Sequence, residues 1–108
     1  MKGEALKGHL DMLLLAAVQV RPTHGYAVIE ELRRLSGGAF DLPEGTVYPA
    51  LHRLERGGLL ASAWSTDAPR RRRVYELTQR GRGVLAAYER DWDRFSRGVA
   101  AVLSARPA

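Results

Sequence analysis

The sequence predicts a mainly helical domain that carries one small β-hairpin and ends in a long helix. Three features predict it. Apolar residues recur at helical spacing in four stretches, Arg-Pro or Gly-Gly pairs end the first three, and between the third and fourth the period changes to alternation. The length of 108 residues suits one compact domain, and 45% hydrophobic with 27% charged residues is the composition of an ordinary globular chain.

Leu6, Leu10, Leu13, Leu14, Ala17 and Val18 mark a first helix over about residues 5–20, ended by Arg21-Pro22. Thr23 offers an N-cap oxygen to a second helix over about 24–36, striped by Val28, Ile29, Leu32 and Leu35 and stopped by Gly37-Gly38. Residues 39–45 contain Pro and Gly without a period and read as a loop. A third helix is expected over about 46–57, with Thr46 as cap, Pro49 in the first turn and Gly57-Gly58 as its end. Its inward stripe is Val47, Ala50, Leu51 and Leu54. Two strands follow, one through Leu60, Ser62 and Trp64, the other through Arg73, Tyr75 and Leu77, joined by a polar loop over 65–71. Thr78 then caps a last helix that runs to about Leu103. Three helices followed by a two-stranded hairpin is the winged helix-turn-helix order. Residues 1–78 are expected to form this unit, and 79–108 a long helix belonging to the same compact body.

Leu85, Tyr88, Trp92, Phe95, Val99 and Val102 are spaced alternately by three and four residues, a heptad seam. Such a stripe on a long helix suits a partner helix, and so a homodimer, better than the surface of a small globule; packing on its own domain is the alternative. Trp92 and Phe95 on that seam can fill a core or line a slot for an aromatic ligand.

Composition also excludes. Without cysteine there are no disulfides, thiolate zinc sites or thiol chemistry, a usage compatible with a reduced cytoplasm. His9, His24 and His52 fall on three separate predicted helices, so no metal site is expected, and no cofactor-binding signature appears. Glu30 and Glu31 are adjacent on a helix and point apart, and no nucleophile elbow or phosphate loop is present, so catalysis is not expected. The longest apolar run, Met12 to Val18, is far shorter than a membrane span, and the start of the chain reads as a mature cytoplasmic N-terminus.

The net charge of +5 comes from the second half: residues 1–60 hold seven basic and seven acidic side chains, residues 61–108 ten and five. Fifteen of the 17 basic residues are Arg, whose planar fork suits phosphates and guanine edges. The outer face of the third helix presents Thr46, Tyr48, Pro49, His52 and Arg53, the residue types that a helix lying in a major groove uses. Arg70, Arg71, Arg72 and Arg73 form the densest charge in the chain. They repel one another unless a polyanion is near, and strand alternation sends them to opposite sides.

His24-Gly25-Tyr26, Gly45-Thr46-Val47-Tyr48-Pro49-Ala50-Leu51, Leu54-Glu55-Arg56-Gly57-Gly58-Leu59 and Val74-Tyr75-Glu76-Leu77-Thr78 with Gly81 together resemble the PadR family of bacterial transcriptional regulators over roughly residues 6–86. The resemblance implies a winged-helix homodimer, usually a repressor, with Thr46, Tyr48, Pro49, His52 and Arg53 on the recognition helix and Arg70 to Arg73 on the wing. It implies further that the first and last helices form the dimer interface, Leu10 and Leu13 from the one and the heptad residues from the other. A single C-terminal helix resembles the shorter subfamily, some of whose members release DNA on binding a flat aromatic or phenolic compound near the position of Trp92. The wing departs from the family pattern, with Ala68-Pro69 before the arginines and Val74 where an aromatic often stands.

The expectation is a homodimeric, non-enzymatic regulator that binds double-stranded DNA at a pseudo-palindromic operator and responds to a small aromatic or phenolic effector. The alternative is a winged-helix module that docks a protein.

Overall fold

The computed structural model describes residues 8–66 and 71–107. Helix α1 (Leu10–Val20), strand β1 (Thr23–His24), helix α2 (Gly25–Leu35), helix α3 (Glu44–Arg56), strands β2 (Leu60–Trp64) and β3 (Arg73–Leu77), and helix α4 (Gln79–Leu103) follow in order. The winged-helix architecture expected from the sequence is present, with corrections at several element ends.

Helix α1 begins at Leu10, after a turn at Gly8–His9; the expected portion before Gly8, with Leu6, lies outside the described residues. Thr23 does not cap α2. It pairs with Tyr75, and His24 with Val74, so the sheet has three antiparallel strands in the order β1-β3-β2 rather than two. His24 takes the capping role, its Nδ1 accepting the Ala27 N–H. Two residues carry too little alternation to announce a strand, and only the edge that β3 offers makes one of them.

Helix α3 starts two residues earlier than expected, so Thr46 lies inside it and Pro43 occupies the cap position. Pro49 therefore sits in the second turn, where its missing N–H leaves the Gly45 carbonyl without its usual helical donor. Helix α4 matches expectation: Thr78 Oγ1 accepts the Gly81 N–H at 3.0 Å and the helix ends at Leu103.

Leu14, Leu15, Val18, Val28, Val47, Leu51, Leu54, Leu60, Tyr75 and Leu85 form the core, each 2% exposed or less. The four stripe residues of α3 are all buried; on α2 the stripe ends one turn early, since Leu35 is exposed. Leu85 packs inside its own chain, which corrects its expected place in a dimer seam: the first turns of α4 serve the core. Leu10, Leu13 and Tyr88 are half-buried at the core's edge. Beyond Trp92, whose ring meets His9, the helix is largely exposed among the described residues, with Phe95 60%, Val102 75% and Leu103 76% exposed. The radius of gyration of 15.9 Å reflects this projection, against about 13 Å for a compact chain of this size.

Candidate nucleic-acid interface

Helix α3 lies beside the sheet with one face in the core, and the rest of its surface divides in two. Tyr48 and His52, one turn apart, line a cleft of about 810 Å³ together with His24, Tyr26, Arg72, Arg73 and the acids Glu30 and Glu44. Arg53 points elsewhere: its guanidinium forks onto Asp11 of α1 at 2.6 and 3.0 Å, a contact that also raises its basicity. Thr46 is half-buried in the first turn, and Pro49 and His52 are exposed. The structure thus brings Tyr48, His52, Arg72 and Arg73 together and sets Arg53 apart as a tie between α3 and α1.

Tyr48 is held by a close approach. Gly25 opens α2 directly against its ring, so that a Cβ on Gly25 would lie 2.3 Å from Tyr48 Cε1. Burial, then the Glu44 carboxylate and Tyr26, push the Tyr48 phenol up.

The described wing arginines take different partners. Arg72 reaches across to His24, with Nη1 2.9 Å from Nε2. Arg73, at the edge of the same cleft, is engaged elsewhere: its Nε donates to Ser62 Oγ at 2.9 Å and its guanidinium lies 3.7 Å from the Glu55 carboxylate. Arg71 and Arg73 both stack on the Trp64 ring, at 4.6 and 5.2 Å from its centroid. Arg70 lies outside the described residues.

Among the described residues no group of His, Asp and Glu could hold a metal ion, and no helix is long and apolar enough to cross a membrane. Sequence reasoning missed His24, Tyr26 and Glu44 as walls of the cleft, and Asp11 and Glu55 as anchors of arginines. His24-Gly25-Tyr26 directly before an apolar helical stripe was the available signal for the first two. The anchors left none, because their partners are 42 and 18 residues away in sequence.

His24 carries a pH dependence. Burial, then the Arg72 charge, hold its imidazole below the ordinary value of 6.5. The unfolded chain therefore takes up the proton more readily than the folded one, so His24's contribution is complete above about pH 6.5 and falls as the pH drops below it. A proton on Nδ1 also removes the acceptor that caps α2. Melts between pH 7 and 5 are expected to show a loss of stability that is reduced in His24→Asn, which keeps a capping oxygen. Equal losses in both proteins would exclude His24 as the source.

At the other end of the molecule, His9 meets Trp92 edge-on with ring centroids 5.0 Å apart, and Trp92 lies 5.9 Å from Phe95. With Met12, Tyr88 and Asp91 they line a hollow of about 230 Å³.

Comparison with known proteins places this geometry among relatives. The model of the transcriptional regulator PadR-like family matches residues 14–87. The transcriptional regulator Rv3488 of Mycobacterium tuberculosis is 40% identical over 76 residues, covering 70% of this chain and 68% of that protein. A PadR family transcriptional regulator from Eggerthella lenta superposes with a TM-score of 0.79 at 33% identity, over 95% of this chain and 88% of its own. A PadR-like transcriptional regulator from Bacillus cereus shares the fold, with a TM-score of 0.85 at 23% identity over 95% of this chain and 99% of its own.

Proposed function

The chain belongs to the PadR-like family of transcriptional regulators, a family of regulators and not of enzymes, and from that premise we propose that it is a homodimeric repressor that binds a pseudo-palindromic operator. The observation that carries this reading is the convergence of the exposed side of α3 with the wing: Tyr48, His52, Arg72 and Arg73 line one cleft. A helix that presents a phenol and an imidazole beside a cationic hairpin suits a duplex, the helix in the major groove and the hairpin on the neighbouring backbone. Thr46 stands in the first turn of α3 and Pro49 in the second, within the N-terminal half through which recognition helices meet base edges. Arg53, engaged by Asp11, fixes the attitude of α3, and its remaining N–H groups can still meet a phosphate.

The exposed apolar stripe of α4 supports the dimer. Phe95, Val99 and Val102, with Trp92 at their head, leave an exposed seam, and the half-buried Leu10 and Leu13 of α1 are assigned to the same interface. Two copies related by a twofold axis would present their α3 helices to half-sites one turn apart, roughly 34 to 36 Å. The hollow between His9, Trp92 and Phe95 is the site for a small aromatic or phenolic effector, since flat rings stack edge-on or offset against such walls.

The test is retention of sheared genomic DNA by the purified protein at near-physiological salt, followed by sequencing. Enrichment of one palindromic motif is expected; no retention even at low salt would replace this reading by a module that docks a protein. Replacing Arg70, Arg71, Arg72 and Arg73 together by Ala is expected to lower the salt slope of binding by about 0.9 for each phosphate that the wing no longer neutralises. An unchanged slope would remove the wing from the interface.

A further inference from the structure

We propose that Trp64 is a positioning residue of the wing, whose indole holds the Arg71 guanidinium in place for a DNA phosphate. This role rests on the reading that the wing meets DNA, and adds to it the residue through which one wing arginine is set.

At the end of α3, the Glu55 carboxylate accepts from Ser62 Oγ at 2.5 Å. The same hydroxyl accepts from Arg73 Nε, and Arg73 Nη2 lies 3.7 Å from the same Glu55 oxygen. Arg73 is thereby fixed in the plane of its guanidinium. Trp64 faces Arg73 across the β2–β3 register, with the guanidinium carbon 5.2 Å from the ring centroid. Arg71, two residues earlier, stacks on the same ring at 4.6 Å. A contiguous series therefore runs from the end of the recognition helix through Ser62, Arg73 and Trp64 to Arg71.

Stacking engages the flat face of a guanidinium and leaves its in-plane N–H donors for an acceptor. A long side chain that is already placed loses less rotamer freedom on binding than one that sweeps through solvent. Trp64 is 50% exposed and adds little to the core, so its effect on affinity is separable from its effect on folding.

The experiment measures binding of a fluorescein-labelled duplex of random sequence at low salt. The proteins compared are the native one, Trp64→Ala, Trp64→Phe, Arg71→Ala, and the Trp64→Ala/Arg71→Ala pair, with melts recorded for each. Trp64→Ala is expected to weaken binding about three- to tenfold, and Trp64→Phe, which keeps a ring, to retain most of the affinity. In the Arg71→Ala background the removal of Trp64 is expected to cost nothing further, because the group it places is gone. An equal loss in both backgrounds would mean that Trp64 touches DNA itself or only braces the hairpin, and would overturn the proposal, as would unchanged binding by Trp64→Ala. If the native protein binds no duplex, the DNA-binding reading falls and the proposal with it; if it binds and only the cycle fails, that reading stands.

Discussion

Asp in place of Phe95 or Val102 is expected to leave the fold intact and turn the protein into a monomer that no longer holds operator DNA. Both side chains are largely exposed within their own chain, at 60% and 75%, so the polar replacement removes nothing from the core. In the proposed dimer each would be buried against a partner helix, twice by symmetry, and an unpaired carboxylate in apolar surroundings costs a few kcal/mol. Two such groups raise the dimer dissociation constant by at least about a thousandfold. Sedimentation at micromolar concentration reads the mass, and circular dichroism checks the helices. A dimer that persists in both variants would remove α4 from the interface. The argument for the proposed partner is physical: among the described residues α4 buries only Gly81 and Leu85, and a stretch such as Arg94 to Leu103 is marginal in water as an isolated helix.

The second large effect is on stability. Gly81→Ala is expected to destabilise the fold by about 3 kcal/mol or more, lowering the melting temperature by more than roughly 12 °C at fixed protein concentration. A Cβ at Gly81 would fall 2.1 Å from the Leu59 carbonyl oxygen and 3.0 Å from its carbon, both backbone atoms. That backbone cannot yield cheaply, because Thr78 N donates to the same oxygen at 3.2 Å and Thr78 Oγ1 donates to the Gly58 carbonyl at 2.6 Å. Three elements meet at this junction, the end of α3, the end of β3 and the start of α4. At Gly83, two residues on in the same helix, a Cβ would meet nothing within 4 Å, so Gly83→Ala is expected to stabilise by up to about 1 kcal/mol through helix propensity alone. Similar melting temperatures for the two variants would show that the close approach at Gly81 is relieved by a small shift. Gly25 differs again, since a Cβ there meets the Tyr48 ring, and a ring can swing where a carbonyl cannot.

What the sequence determined by itself is what short-range periodicity encodes. The four helices, the inward stripe of α3, the two wing strands and the Thr78 cap all follow from residues within a few positions of one another, where apolar spacing of 3.6 or 2 decides which face is buried. The candidate site was legible to the same extent: the outer residues of α3 and the arginine run were visible as residue types on a face. Their division of labour was decided by tertiary structure. Arg53 turns to Asp11, Arg72 to His24, and Arg71 and Arg73 to Trp64, because each partner is brought near by packing and not by proximity in sequence. Thr23–His24 became a strand only because β3 offered an edge, and Leu85 left the seam for the core because α4 lands on the domain through its first turns. Where α4 leaves the cover of the described part of its own chain, and so where the proposed partner would begin, depends on how long a helix a small core can cover. No residue along the helix marks that point, since one unbroken heptad pattern runs across both regions.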